Sequence, residues 1–352
     1  MERISANFSS SYVVGEVHDK GKGNLMKILV PLSRREYIDA YIDAGADEFY
    51  LGFHDDEWER RFGKYADINR MSGFGTLANP YSFDKAIDVV KEIKDKGRRA
   101  YITINAATYS PEQLDFVKEH YLPRLKAAGA DGVIVSDISS VNAAIQAGIE
   151  PVASTMCGIY NSDIAAIYHE LGVRRMILPR DLAPEELESI CGRFPDVEFE
   201  AFFMRNGCLF SDGYCLGMHR PECGALCTYT RSGRSEYIHD YTAFAEVHDV
   251  EVNDYLYRTA LLIDACGMCA LYRLGHAGLT SLKIVGRADD CRAVCRDIAL
   301  TRRNIDIMEN SRSEQEYLER MEFPPGYPGR CRMGLSCYYP QVRFGSTSER
   351  HS

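Results

Sequence analysis

The sequence lacks an apolar stretch long enough to cross a membrane. No run of about 18 apolar residues occurs among the 352 positions. The N-terminal part also lacks the apolar centre of a secretory signal and ends in a stretch rich in Gly and Lys. These absences predict a cytoplasmic protein, in which thiols stay reduced. The 12 cysteines therefore indicate metal or redox chemistry and argue against disulfides.

Basic residues are also fewer than acidic residues. The chain carries 41 Lys and Arg against 51 Asp and Glu, which gives a formal net charge of −10. A chain of this charge binds nucleic acid poorly unless it has a local basic groove. The sequence thus argues against an RNA partner without excluding one.

Short apolar segments alternate with helical segments along most of the chain. Eight predicted strands begin at Lys27, Glu48, Arg99, Asp131, Pro151, Arg175, Glu198 and Ser281. Their apolar runs are continuous, which is typical of parallel strands buried on both faces. Eight strands separated by helices predict an α/β fold, a closed TIM-like (β/α)8 barrel, with a doubly wound open sheet as the alternative. Residues 111–128 and 256–276 are predicted to be mainly helical.

The same pattern divides the chain into three parts. Residues 1–26 are predicted to form a flexible N-terminal extension, 27–310 the barrel, and 311–352 a C-terminal tail. A cysteine-rich insertion at 205–255 separates the seventh strand from the eighth. Because barrel enzymes carry their active sites at the carboxyl ends of the strands, this insertion should lie over the mouth of the barrel.

The insertion carries four closely spaced cysteines, which are Cys208, Cys215, Cys223 and Cys227. Glycines and a proline surround them, so the segment should form a tight, irregular loop that can turn several thiolates toward one point. Four thiolates can bind zinc tetrahedrally or hold an iron–sulfur cluster. The spacing predicts a metal centre and leaves zinc and iron–sulfur open.

Of the six cysteines beyond this loop, four form two closely spaced pairs outside the last predicted helix, namely Cys266 and Cys269, and Cys331 and Cys337. Together they could form a second four-cysteine site. Alternatively, Cys266 could join the loop cysteines as a ligand, or none of the four binds a metal. The sequence leaves these alternatives open.

Polar residues follow several of the predicted strands. We expect a substrate to contact Asn105, Asp137, Arg180, Lys283 and Arg287, which lie at or near carboxyl ends of strands. Cationic side chains at a barrel mouth suit a carboxylate or phosphate ligand. The alternative is that the cations form structural ion pairs with neighbouring carboxylates.

Five residues around the loop follow a known motif. The motif consists of Glu-x-Phe, then a first cysteine, then Gly-x-Cys. Its residues here are Glu200, Phe202, Cys208, Gly213 and Cys215. Residues 281–287, SLKIVGR, come close to a second motif, SLKIEGR. In these features the chain resembles the collagenase-like peptidase family of U32 type over roughly residues 27–297. It departs from that family at 205–207, where Arg-Asn-Gly stands for His-Gly-Ala, and at Val285, which replaces a glutamate.

The resemblance implies a TIM-like barrel and a 4Fe–4S cluster on the four loop cysteines, with Cys266 as an alternative ligand and zinc as the second choice of metal. Members of the family are labelled peptidases. Better understood relatives hydroxylate RNA bases or a quinone precursor without oxygen, with prephenate as the oxygen donor. The resemblance therefore implies an iron–sulfur oxidoreductase acting on a small anionic substrate. The cations at the barrel mouth would suit the dicarboxylate prephenate.

Two other functions stay open at this point. A peptidase needs an activated nucleophile or a metal-bound water, and the sequence shows neither a nucleophile–base pair nor a G-x-S-x-G turn. A non-catalytic, cluster-binding subunit with a homologous partner chain is the other, since four thiolates would fill the ligand sites of a structural cluster.

Overall fold

Eight parallel strands close into a barrel. The computed structural model describes residues 26–208, 211–215, 219–220, 224–225, 265–287, 289–332 and 337–344. The barrel strands are β1 (Lys27–Pro31), β2 (Glu48–Leu51), β3 (Arg99–Ile104), β4 (Gly132–Val135), β5 (Pro151–Ala153), β6 (Arg175–Ile177), β7 (Glu198–Met204) and β8 (Ser281–Ile284). Each strand pairs with its neighbours in chain order, and β8 pairs with β1 to close the ring. The predicted TIM-like barrel is confirmed, and the open sheet is excluded.

Helices cover the outside of the barrel, most of them between successive strands and the last three after β8. They are α1 (Ile38–Ala44), α2 (Asp56–Phe62), α3 (Phe83–Asp95), α4 (Pro111–Phe116), α5 (Leu122–Ala127), α6 (Ile138–Ala147), α7 (Ser162–Glu170), α8 (Pro184–Arg193), α9 (Leu271–His276), α10 (Cys291–Glu309), α11 (Glu314–Arg320) and α12 (Gly329–Arg332). Among the described helices, none is both long and apolar enough to cross a membrane.

Two helical predictions need correction. The single helix expected over 111–128 is interrupted by a π-helical turn at Val117–Tyr121. Pro123 explains this, because its ring has no N–H to donate and crowds the carbonyl one turn earlier. The helix expected over 256–276 lies partly outside the described residues, and within them Cys266 forms β-bridges. Regular helix begins only at Leu271, after a 3-10 turn at Met268–Ala270.

The described part of the C-terminal segment packs onto the barrel beside β7. The hydroxyl of Tyr317, on α11, donates to the carbonyl of Met268 at 2.7 Å. The hydroxyl of Tyr339 donates to the carbonyl of Phe202 on β7 at 2.9 Å. Both tyrosines are buried. The chain's C-terminal part thus lies next to the point where the cysteine-rich loop leaves the barrel.

Candidate active site at the barrel mouth

A cavity of about 380 Å³ opens at the carboxyl ends of the strands. Its polar lining includes Arg70, Asn105, Thr155, Arg180, Lys283 and Arg287, and the cysteine-rich loop contributes Cys208. A volume of this size accommodates a small organic molecule. The loop therefore reaches the barrel mouth, as the position of the insertion after β7 predicts.

A closed network of ion pairs lies beneath this cavity, and we call it the floor. The buried guanidinium of Arg175 lies 2.5 Å from Glu48 and 3.0 Å from Glu200. The ammonium of Lys283 lies 2.7 Å from the other oxygen of Glu200. Burial acts against the charge of Lys283 and lowers its pKa, although Glu200 counteracts that effect. These buried cations therefore each have a carboxylate partner.

A second ionic group joins the loop to the mouth. Asp212 lies in the loop between two cysteines and is fully buried. It forms ion pairs with Arg70 and Arg180, each at 2.8 Å. Burial opposes the charge of Asp212, but the two guanidiniums outweigh it and hold the pKa of this carboxyl below its usual range. Asp212 thus holds two guanidinium groups at the mouth of the barrel.

Arg287 differs from the other mouth cations. Its Nη1 donates to Asn79 Oδ1 at 3.0 Å and to Thr103 Oγ1 at 3.4 Å, and both acceptors are neutral. No carboxylate of the described residues lies within ion-pair distance of it. Burial lowers its pKa to about 10, so the side chain remains charged at neutral pH. The cavity lining therefore contains a buried cation without an acidic partner.

Four predicted substrate contacts line the same cavity, and one does not. Asn105, Arg180, Lys283 and Arg287 lie in the lining, with Asn105 donating to Ser154 Oγ at 3.3 Å. Asp137 instead caps α6, where its carboxylate accepts the backbone N–H of Ser140 at 2.7 Å. Asp137 follows β4 and directly precedes α6, where a helix cap is needed. Its position after a strand therefore could not distinguish a substrate contact from a helix cap.

Arg70 and Asp212 are mouth residues that sequence reasoning missed. Arg70 lies in the irregular segment after β2, far from any recognised motif. Asp212 stands between Cys208 and Cys215, so its position inside the cysteine motif was the available signal. Neither position indicates that the two side chains meet, because 142 residues separate them.

The described loop cysteines lie at the mouth. Cys208 lines the cavity, and Cys215 follows a 3-10 turn at Asp212–Tyr214 and is half-buried. Just before Cys208, Arg205 and Asn206 adopt positive φ angles of 65° and 42°, which turn the chain sharply after β7. The thiols presented here have the donor chemistry that an iron–sulfur cluster needs.

Two of the predicted ligands, Cys223 and Cys227, lie outside the described residues. Within the part that the structure describes, no three metal-ligating side chains are close enough to share one ion. The side chain of Cys266 lines a separate, smaller cavity together with Cys269, Cys331 and Cys337. The structure thus brings together four of the six cysteines that lie beyond the loop.

Comparison with known proteins places the chain among related sequences. It is 24% identical to a protein of Methanocaldococcus jannaschii named as an uncharacterized protease, over 85% of this chain and 69% of that one. It is 24% identical to the collagenase of Porphyromonas gingivalis, over 75% of this chain and 62% of the relative. It is 25% identical to the tRNA hydroxylation protein P of Helicobacter pylori, over 55% of this chain and 42% of the relative.

These relatives carry different names, and the matches leave a third or more of the collagenase and the tRNA hydroxylation protein uncovered. The sequence model of one family, however, matches residues 33–324, which include every barrel strand except β1. The match spans most of the chain and agrees with the motifs around β7 and β8. The chain belongs to peptidase family U32.

Proposed function

We propose that this protein is an iron–sulfur enzyme that carries out oxygen-independent hydroxylation, or related redox chemistry, on a small anionic substrate at the barrel mouth. The observation that carries the proposal is Arg287, a buried cation without a described acidic partner in the lining of a 380 Å³ cavity that also contains Cys208. The similarity to a tRNA hydroxylation protein supports the choice of hydroxylation.

The electrostatics of the mouth favour an anion. A buried charge is costly unless it is paired, so a carboxylate beside Arg287 would gain a charge-assisted hydrogen bond at a site that is already desolvated. Arg70 and Arg180 add two further guanidinium groups to the lining, where both contact Asp212. Guanidinium groups bind carboxylates well, so the dicarboxylate prephenate is the candidate oxygen donor.

The remaining polar lining would orient the bound molecule. Asn105 and Thr155 offer neutral hydrogen-bonding groups in the same lining. Lys283 is engaged with Glu200, so it contributes to the field of the cavity more than to direct binding. We do not include Asp137 among the substrate contacts, because its carboxylate caps α6.

The loop cysteines Cys208, Cys215, Cys223 and Cys227 are the proposed ligands of a 4Fe–4S cluster, which supplies electron transfer when bound. The ion pairs of Asp212 with Arg70 and Arg180 hold the described part of this loop against the mouth. Zinc, the alternative metal, would supply no electrons and would not support this function.

A peptidase receives less support from the site. The cavity lining that the structure describes contains no histidine to activate a nucleophile. A peptidase would nevertheless be the better interpretation if the purified protein digests casein and the Arg287→Gln variant does not.

The experiment that tests the proposal combines metal content with anion binding. The full chain is purified anaerobically, and its iron, sulfide and visible absorption spectrum are measured before prephenate binding is followed by calorimetry. We expect iron and sulfide in equal amounts, and prephenate affinity about 10- to 100-fold weaker in Arg287→Gln, because a hydrogen bond to a charged group contributes about 1.5–3 kcal/mol.

The matched control is Arg193→Gln, which removes a cation from an exposed ion pair with Asp163 and should leave binding unchanged. Zinc in place of iron would contradict the proposal. Equal affinity of Arg287→Gln and the unaltered protein would remove Arg287 from the site. Hydroxylation of tRNA by the protein would show that the substrate is RNA and not a small molecule.

A further inference from the structure

Two buried asparagines lie at the barrel mouth outside every motif of the sequence, and one of them contacts Arg287. Asn69 and Asn79 belong to the irregular segment between α2 and α3, and their exposed fractions are 0% and 1%. A side-chain amide buried this deeply is normally hydrogen-bonded on both its oxygen and its nitrogen. The partners of Asn79 therefore indicate what this residue does at the mouth.

The hydrogen bonds of Asn79 fix its amide in one orientation. Its Oδ1 accepts from Asn69 Nδ2 and from Arg287 Nη1, each at 3.0 Å. Its Nδ2 donates to the carbonyl of Met71 at 3.1 Å. Rotation of the amide by half a turn would place its N–H groups against the donors of Asn69 and Arg287. Asn79 therefore presents its oxygen to the guanidinium.

This contact leaves one edge of the Arg287 guanidinium available. Both hydrogen bonds to described residues, to Asn79 and to Thr103, come from Nη1. The Nε–H and Nη2–H groups, which together form one edge of the planar fork, donate to none of the described residues. Arg287 also lines the mouth cavity. Two N–H groups on one edge can bind a carboxylate through two parallel hydrogen bonds.

Gly52 provides the space in which Asn79 and Arg287 meet. It directly follows β2 and is buried. A Cβ at this position would lie 2.1 Å from Asn79 Oδ1 and 2.3 Å from Arg287 Nη1, far inside the normal contact distance of about 3.5 Å. Any side chain at position 52 would therefore push the amide and the guanidinium apart.

The neutrality of Asn79 matters as much as its position. Asp has nearly the same shape as Asn and also offers an oxygen, but its carboxylate would neutralise Arg287 from within the protein. The floor is built in that way, because Arg175 is paired with Glu48 and Glu200. At the mouth, an amide oxygen holds the guanidinium and leaves its charge unpaired among the described residues.

We propose that Asn79 is the positioning residue of Arg287 and sets the preference of the mouth for an anion. Its neutral oxygen fixes Nη1, so that the edge formed by Nε and Nη2 binds a carboxylate of the substrate. The inference rests on the proposed function, in which Arg287 binds an anionic substrate. It adds that an uncharged residue, Asn79, keeps the positive charge available for that substrate.

The test is prephenate binding by the full chain, purified anaerobically and followed by calorimetry at pH 7. Asn79→Asp should bind about 10- to 100-fold more weakly although Arg287 is present, because the new carboxylate takes the place of the ligand's charge-assisted hydrogen bond. Asn79→Ala removes a neutral acceptor and should weaken binding by about 2- to 10-fold. Asn310→Asp adds the same charge at an exposed position and should bind like the unaltered protein.

A pH profile distinguishes a change of charge from a change of shape. When two carboxylates share one arginine, the pKa of one of them is raised, so Asn79→Asp should take up a proton as the ligand binds. Its affinity should therefore rise by up to about tenfold for each pH unit between pH 7 and about 5.5. Asn79→Ala should show no such rise. His54 Nδ1 donates to the backbone carbonyl of Asn79 at 2.8 Å, and all variants retain this histidine, so its titration affects them alike.

The outcomes separate this inference from the proposed function. Unaltered affinity in Asn79→Asp would overturn the inference and leave prephenate binding in place. A loss that is the same at every pH would assign the effect to shape and would also overturn it. Absence of iron would contradict the proposed function without bearing on Asn79.

Two further measurements cover the remaining cases. If prephenate does not bind the unaltered protein, urea denaturation with pyruvate, a small carboxylate, tests the site. Protection of the unaltered protein but not of Asn79→Asp would support the inference, and protection of neither would overturn it.

Circular dichroism shows whether Asn79→Asp folds. If it does not, Gly52→Ala decides the question, because its methyl group separates Asn79 from Arg287. We expect prephenate affinity about 2- to 10-fold weaker in Gly52→Ala. Unchanged affinity in that variant would overturn the inference.

Discussion

The floor and the mouth of the barrel use the same kinds of side chain in opposite ways. In the floor, Arg175 lies against Glu48 and Glu200, and Lys283 also contacts Glu200, so each of these buried cations has an acid beside it. In the mouth, Arg287 contacts the neutral side chains of Asn79 and Thr103, and no carboxylate of the described residues lies within ion-pair distance of it. The floor cations therefore have acidic partners, whereas Arg287 in the mouth has none among the described residues.

This difference distinguishes charged side chains that are part of the fold from charged side chains that can bind a ligand. A buried ion pair adds little stability compared with apolar packing, but removal of one partner leaves the other charge buried and alone. A buried cation with no acidic partner lowers the stability of the folded chain. Such a cation is expected where a bound anion supplies the missing partner. The comparison predicts that arginines of similar burial respond to mutation in different ways.

The largest effect is expected for Arg175→Met in the floor. The change leaves Glu48 and Glu200 buried without this partner, which should lower the free energy of unfolding by about 3–5 kcal/mol. Urea denaturation at pH 7 measures the loss. Arg193→Met, which breaks an exposed pair with Asp163, is the control and should cost less than about 1 kcal/mol. Equal losses in the two variants would remove the distinction between floor and surface pairs.

A smaller effect is expected for Arg287→Met in the mouth. No carboxylate is left behind, so the free energy of unfolding without ligand should change by about 1 kcal/mol or less. In the unaltered protein, prephenate at 100 times its Kd should add about 2.7 kcal/mol, and the variant should lose this gain. Urea denaturation with and without prephenate measures both quantities. A loss as large as that of Arg175→Met would show that Arg287 is structural.

The third effect is a dependence of stability on pH, which arises from the ion pairs of Asp212 with Arg70 and Arg180. The pKa of Asp212 is lower in the folded chain than in the unfolded one, so its stabilising contribution is fully present above its ordinary value, about 3.9, and is lost as the pH falls through the folded value. Asp212→Asn should therefore be less stable than the unaltered protein at pH 7, and the gap should narrow below about pH 3.9. Urea denaturation from pH 7 to 3 follows the gap. A gap that stays constant with pH would mean that the carboxylate charge does not hold the loop.

Local patterns predicted the barrel well. Every barrel strand begins at its predicted residue except β4, which begins one residue later, because a continuous apolar run between helix ends is a local feature. The break in the predicted helix over 111–128 was missed, since a single proline changed the hydrogen-bonding register over five residues, Val117–Tyr121. The motif around β7 also located the loop, and Asn105, Arg180, Lys283 and Arg287 were placed in one cavity by strand topology.

The sequence by itself determined the succession of the eight strands and the presence of a thiol-rich segment after β7, and it favoured a barrel over an open sheet. Only the tertiary structure decided which cations are paired and which cysteines meet. Arg175 contacts Glu48, which lies 127 positions away in the sequence. Cys266 forms a β-bridge with Cys337, although β8 and α10 lie between them in the chain. Such contacts depend on how distant segments fold around each other, and no local periodicity or spacing encodes that geometry.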